Sequence, residues 1–155
     1  MAGVNDLDTA EALALFSVAR TCEDVDDWVP ERQQPHSWTA SCGALNADGS
    51  SAGLLVELLY RWSPKTKTTY LLFTVHKRNA WGSDRAYQLD IEQHIRKLPL
   101  HDLPHEHFGK ERTEGSSDWA TWSFEEALRY FSDRTKITFN PPVFDPHNSF
   151  QLKRQ

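Results

Sequence analysis

The run LLVELLYRW at residues 54–62, followed by TTYLLFTVHKR at residues 68–78, decides the fold of this chain. Every second residue from Leu54 to Trp62 is apolar, and the second run alternates in the same way around Leu71, Phe73 and Val75. A period of two places alternate side chains on opposite faces of a β-strand. The intervening SPKTK is typical of a turn. The two runs therefore predict neighbouring antiparallel strands that share an apolar face.

Two further runs extend this pair into a sheet. SWTASCGAL at residues 37–45 alternates as well, and an Asp-Gly reversal separates it from the central run. RAYQLDIEQHI at residues 85–95 places Tyr87, Leu89 and Ile91 together against a polar reverse side, as expected near a sheet edge. Four sequential strands with short connections predict an antiparallel meander, and residues 137–139 offer a fifth strand.

Two capping boxes predict helices on either side of this meander. Asp8 with Glu11 predicts a helix over about residues 9–21, and Ser123 with Glu126 predicts a second helix. The expected fold is α+β: an antiparallel β-meander of four to five strands, with the N-terminal and C-terminal helices packed on one face. We expect one domain at residues 1–140, followed by a proline-rich tail at residues 141–155.

The composition excludes several classes of protein. With 155 residues, 39% hydrophobic and 25% charged, the chain has the balance of one folded soluble domain. A net charge of -5 disfavours binding to polyanions or membranes through bulk charge. Two cysteines without metal-type spacing, and no apolar run long enough to span a bilayer, predict a cytoplasmic protein. No Gly-rich phosphate loop, GxSxG or HExxH motif is present, so we predict no cofactor.

The segment HDLPHEHFGKER at residues 101–112 concentrates three of the seven histidines. Pro104 favours extended backbone before it, so His105 and His107 are expected on one side of the chain. Two imidazoles so placed suit a divalent metal, with His101, His76 or Asp90 as third ligand. They equally suit acid–base cleavage of RNA, in which one ring takes the 2'-hydroxyl proton and the other protonates the leaving oxygen. A solvated polar loop is the third alternative.

The acid–base hypothesis needs cations and stacking surfaces as well as histidines. It assigns catalysis to His105 and His107, with support from His76 and His101, and it predicts no bound metal. Phosphate groups would be held by arginine and lysine, and bases would stack on aromatic rings. The residues predicted for these two binding roles are Lys77, Arg78, Arg112, Tyr87 and Trp81.

PHEHFG, followed after a polar gap by SFEEALRYF and preceded by the meander, resembles the TumE-like toxins of bacterial toxin–antitoxin pairs over roughly residues 54–131. The histidine cluster of that family is commonly His-His-x-His, whereas Glu106 separates two histidines here. The resemblance implies a toxin that acts on RNA or translation and is neutralised by an antitoxin. The rival hypothesis is a non-catalytic interaction subunit of a bacterial defence or regulatory complex, which surface tryptophans and charged, proline-rich ends would suit.

Overall fold

The computed structural model of the chain describes residues 5–93 and 103–148. Within them the fold is α+β, with a large, mostly antiparallel sheet and two α-helices. None of the described helices is both long and apolar enough to cross a membrane. The strands are β1 (Asn5–Asp6), β2 (Arg20–Glu23), β3 (Val29–Pro30), β4 (Ser37–Leu45), β5 (Ser51–Ser63), β6 (Thr68–Asn79), β7 (Gly82–Glu92), β8 (His105–Phe108), β9 (Glu111–Glu114) and β10 (Ile137–Asn140). The helices are α1 (Thr9–Leu15) and α2 (Phe124–Thr135), with 3-10 turns at Ser117–Thr121 and Pro146–Asn148.

The predicted meander is the centre of a wider sheet. The strands follow the order β10-β2-β4-β5-β6-β7-β8-β9, while β1 pairs with β7 and β3 pairs with β4. The long strands β4 to β7 confirm the meander, but the expected four to five strands were too few, since the described residues form ten. Six strands outside the meander are two to four residues long; β10 is the strand expected at residues 137–139, and the other five were not predicted. Such short segments carry no readable alternation, and distant partners, such as β2 for the parallel strand β10, hold them in place.

The N-terminal helix is shorter than predicted, whereas the C-terminal helix begins as expected. α1 ends at Leu15, and the chain returns as β2 instead of continuing to residue 21. Pairing of β2 with β4 and β10 overrides the local helical preference there. At α2, the Ser123 hydroxyl accepts from the Glu126 N–H at 3.1 Å and the Glu126 carboxylate accepts from the Ser123 N–H at 3.0 Å. That reciprocal pair confirms the second capping box.

The hydrophobic core lies on one side of the sheet, which we call the inner face. Phe131 of α2 contacts Phe73 and Tyr87 edge-on, with ring centroids 5.8 and 5.7 Å apart. Phe16, directly after α1, contacts Tyr87 and Phe108 on the same side. Both helical segments therefore pack on the inner face. Other buried residues of this face are Val56, Leu58, Tyr60, Leu71, Val75, Leu89 and Ile91.

The described part of the predicted tail, residues 141–148, lies against the rest of the fold. Val143 packs on the core. The Trp28 indole N–H donates to the Phe144 carbonyl at 3.2 Å, and the Tyr60 hydroxyl lies 3.0 Å from Nδ1 of His147. These contacts connect the C-terminal segment to β5 and to the loop that precedes β3.

Candidate functional site

The histidine segment forms strand β8, which lies between β7 and β9. Its residues alternate between half-buried and buried, with His105 and His107 on the side away from the helices, the outer face. The two imidazole centroids are 5.1 Å apart. The common side expected from Pro104 and from the period of two is therefore present. In the β7–β8 ladder, the residues of β8 lie opposite residues of β7 as follows: His105 opposite Asp90, Glu106 opposite Leu89, His107 opposite Gln88 and Phe108 opposite Tyr87.

Glu106 points to the inner face, where it is only 3% exposed. Its carboxylate accepts from the Tyr87 hydroxyl at 2.9 Å, the Tyr130 hydroxyl at 2.6 Å and Nε of Arg134 at 3.1 Å. The Arg134 guanidinium also lies over the Phe108 ring, 4.8 Å from its centroid. A buried carboxylate is tolerated only when such donors replace water. The network attaches β8 to α2 and so fixes the face to which the histidines point.

Both ring nitrogens of His105 face oxygen atoms, one at hydrogen-bond distance and one at ion-pair distance. Nδ1 lies 3.1 Å from the Leu103 carbonyl, which can only accept, so Nδ1 carries a hydrogen. Nε2 lies 3.6 Å from Oδ2 of Asp90, and that oxygen accepts from the Tyr70 hydroxyl at 3.3 Å. Burial raises the pKa of Asp90 above its usual range. At this ion-pair distance the Asp90 carboxylate would stabilise a positive charge on the His105 ring.

His107 has different surroundings although it lies two residues away. Its Nδ1 is buried and has no hydrogen-bond partner among the residues that the structure describes. Burial lowers the pKa of the ring to about 4, helped by the positive charges of Arg85, His105 and Arg112. The ring is therefore neutral at physiological pH. A neutral imidazole accepts a proton or a hydrogen bond at one ring nitrogen. Because Nδ1 is shielded from solvent, a ligand could approach His107 only at Nε2.

Two arginines provide positive charge beside the pair. Arg112 lies across from His107 in the β8–β9 ladder, and its Nε donates to Glu114 at 2.7 Å. Arg85 donates to Asp6 at 2.8 Å and to Gln88 at 2.9 Å. Arg112 was predicted from the sequence, whereas Arg85 was not. Strict alternation puts Arg85 on the same side as Tyr87, but the register shifts by one residue between them, which turns Arg85 to the outer face.

Tyr87 does not have the stacking role predicted for it. Its side chain is fully buried in the core and its hydroxyl donates to Glu106, so a base cannot reach the ring. The alternation grouped Tyr87 correctly with Leu89 and Ile91, but that side is the inner face. Burial, followed by the charge of Glu106, raises the pKa of Tyr87. Tyr87 therefore has a structural role: its hydroxyl helps to hold Glu106, which attaches β8 to α2.

The other predicted residues lie away from the pair. His76 is on the outer face, where its Nε2 contacts Glu57 at 2.8 Å and, through that hydrogen bond, lowers the pKa of Glu57. It lies across from Arg85, three residues along β7 from Gln88. The remaining predicted residues of β6 and its hairpin are Lys77 and Arg78, opposite Asp84 and Ser83, and Trp81 at the tip, which is 98% exposed. His101 lies outside the described residues.

A metal site gains no support from the described part of the chain. Across residues 5–93 and 103–148, no three His, Cys, Asp or Glu side chains lie close enough together to hold an ion. Of the third ligands considered, His76 pairs with Glu57, whereas Asp90 contacts His105 only at the distance of an ion pair. The residues around β8 form a pair of imidazoles with carboxylate and guanidinium neighbours. Groups of this kind can transfer protons.

Comparison of the chain with protein-family models, with curated proteins and with solved structures finds no match. The resemblance to TumE-like toxins therefore stays a prediction from the PHEHFG and SFEEALRYF motifs. Function has to be inferred from the contacts of His105 and His107 and from the charges around them.

Proposed function

We propose that this protein is a metal-independent ribonuclease of the TumE-like toxin type, with His107 as general base and His105 as general acid. One observation carries the proposal: two imidazoles 5.1 Å apart occupy opposite electrostatic settings on one face of the sheet. His107 is neutral because burial and positive charge lower its pKa to about 4, whereas Nε2 of His105 lies 3.6 Å from the Asp90 carboxylate, which would stabilise a protonated ring. Cleavage of RNA needs one base and one acid on either side of the phosphodiester.

In the first step the neutral His107 ring removes the proton of the ribose 2'-hydroxyl, which attacks the adjacent phosphorus. A pKa of about 4 makes the free imidazole a weak base. An anionic phosphate bound beside Arg85 and Arg112 offsets the positive charges that contribute to this low value, so the ring becomes more basic when substrate is present. The same guanidinium groups stabilise the extra negative charge of the pentacoordinate phosphorus.

In the second step His105 donates its Nε2 proton to the leaving 5' oxygen. Asp90 lies 3.6 Å from Nε2 and stabilises the charged ring until transfer takes place. The Leu103 carbonyl holds Nδ1 and so keeps the ring in one orientation. Because the nucleophile is the 2'-hydroxyl, this chemistry is confined to RNA.

A protein partner follows from the same proposal. The outer face carries the histidine pair on a strand that no described helix covers, since both helical segments pack on the inner face. An antitoxin that covers this face would block substrate and bring acceptors to the arginines. A cytoplasmic location is part of the proposal, because RNA and the antitoxin are found there.

A second candidate function is a non-catalytic subunit of a bacterial defence or regulatory complex. The observation that favours it is large apolar side chains in water: Trp81 is 98% exposed, Phe144 63% and Val29 55%. Aromatic side chains of this kind are enriched where proteins dock. If the chain is only a docking subunit, the histidines have no catalytic role.

The test is cleavage of single-stranded RNA by the purified full chain and by its His105→Ala and His107→Ala variants. Each variant should lose cleavage by roughly 10²-fold or more while keeping its melting temperature. EDTA should leave the wild-type rate unchanged, and a substrate with 2'-deoxyribose should remain intact. His36→Ala, a histidine in the turn before β4, controls for loss of any imidazole. An inactive wild-type chain, or activity retained in both β8 variants, would contradict the proposal and favour the docking subunit.

A further inference from the structure

A small cavity of about 180 Å³ lies on the helix side of the sheet, at the end of β5 and β6 where α2 begins. It is separate from the histidine pair, which is on the outer face. Tyr60, Leu71 and Phe124, which are almost fully buried, form part of its wall. The other lining residues are Trp62, Thr69, Gln93, Trp122, Ser123, Asp145 and His147.

The aromatic walls of this cavity meet at large angles. The Trp62 and His147 rings are 4.7 Å apart at 62°, and the Tyr60 and His147 rings are 6.4 Å apart at 52°. Trp122 is fixed from behind, because it stacks on Trp119 at 5.0 Å and 17°. A flat base needs parallel walls for stacking. Rings that form a corner suit a rounded group that touches several π faces at once.

Several polar groups of the lining already have partners. Ser123 caps α2 through its bond to Glu126. The Gln93 side-chain oxygen accepts from the Thr69 N–H at 2.9 Å. The Tyr60 hydroxyl is bonded to His147. A ligand that depends on many hydrogen bonds would therefore have to displace existing ones.

The described residues of the lining carry a negative charge. Among them there is no lysine or arginine, and there is the carboxylate of Asp145. Oδ1 of Asp145 accepts from the His147 N–H at 2.8 Å, which fixes the carboxylate next to the aromatic corner. Burial and, after it, the charge of Asp145 raise the pKa of the Tyr60 hydroxyl, so Tyr60 stays neutral. The positive end of α2 also faces this region, but Glu125 and Glu126 in its first turn offset it.

We propose that this cavity binds a quaternary ammonium group. The negative faces of tryptophan and tyrosine rings attract a cation, and a carboxylate beside them adds charge without requiring an N–H donor. The size is suitable, because a cavity of roughly 150 Å³ holds a group as large as benzene. The proposal does not depend on ribonuclease activity, since it involves a different face of the sheet and different residues.

Two sources supply this chemistry: a free small molecule such as choline, or a trimethylated lysine on a protein partner. Titration of the full chain with choline and with a short trimethyl-lysine peptide, followed by tryptophan fluorescence and calorimetry, distinguishes them by which binds more tightly. The decisive control ligand is 3,3-dimethylbutanol, which has the shape of choline without its charge. We expect both cations to bind saturably. The affinity for the neutral analogue should be lower by about tenfold or more.

Two variants test the residues. Asp145→Asn keeps the shape and removes the charge, and it should weaken choline binding by roughly tenfold without changing the melting temperature. Asp48→Asn makes the same change in the turn between β4 and β5, and it should leave both affinity and the fluorescence change as in the wild type. Failure of choline and the peptide to bind up to about 10 mM, a range in which even weak ligands register, would overturn the proposal. Equal affinity for choline and 3,3-dimethylbutanol would overturn it as well.

Discussion

The two faces of the four-residue strand β8 differ in how completely their polar groups are hydrogen-bonded. On the inner face, each oxygen of the Glu106 carboxylate accepts at least one hydrogen bond, and Phe108 supports the arginine that donates one of them. On the outer face, His105 is held by a carbonyl and a carboxylate, while His107 has a buried nitrogen without a partner. Saturated polar contacts on one face indicate a structural role. The half-buried imidazoles of the other face are where a ligand could bind.

Removal of the inner-face carboxylate should have the largest effect on stability. Glu106→Ala leaves Arg134 and two tyrosine hydroxyls without their acceptor, which should lower the free energy of unfolding by about 3 kcal/mol. The matched control is Glu114→Ala on the neighbouring strand, where an exposed pair with Arg112 is worth about 0.5 kcal/mol. Urea denaturation measures both. Equal losses in the two variants would show that the Glu106 network does not anchor β8.

A tyrosine-to-phenylalanine substitution should cost more unfolding free energy on the inner face than on the outer face. Tyr87→Phe removes a buried donor at 2.9 Å from Glu106 and should cost about 1 kcal/mol of unfolding free energy. Tyr70→Phe removes a longer, 3.3 Å bond to Asp90 on the outer face and should cost less than about 0.5 kcal/mol. Urea midpoints of the two variants give the comparison. A larger loss for Tyr70→Phe would reverse the roles assigned to the faces.

At neutral pH the smallest effect on stability is that of His107, because its contribution appears only on acidification. Because the folded pKa of His107 is lowered from 6.5 to about 4, the unfolded chain binds a proton in this interval while the folded chain does not. His107 should therefore reduce stability as the pH falls from about 6.5 to about 4, and it should have no such effect above 6.5. His107→Ala should flatten the dependence of the urea midpoint on pH over that interval. A slope identical to that of the wild type would contradict the buried, neutral state of the ring.

The long strands could be predicted from the sequence, whereas the pairing of strands that are distant in the chain could not. Residues 54–62 and 68–78 carry enough alternation to fix the central strands and their apolar face. The short strand predicted at residues 137–139 is present as β10, but its parallel pairing with β2, more than a hundred positions earlier, cannot be read from the sequence. The same pairing explains why the helix predicted up to residue 21 ends at Leu15.

The site was partly predictable for similar reasons. Pro104 and a period of two were enough to place His105 and His107 together. The role of Glu106 was missed, although a signal existed: the same period places it on the core side, where Tyr130 and Arg134 lie four residues apart on one face of α2. Arg85 could not have been placed, because a register shift in β7 determines its side.

The division between the two faces is tested most directly by an NMR titration of the histidine rings, with His107 assigned by comparison with the His107→Ala spectrum. The account predicts that the His107 resonances stay those of a neutral imidazole until the pH falls to about 4, because the half-buried ring lies beside Arg85 and Arg112. A titration midpoint near the ordinary value of 6.5 would contradict it. In that case His107 would be an ordinary solvated side chain, and the assignment of base and acid on the outer face would fail.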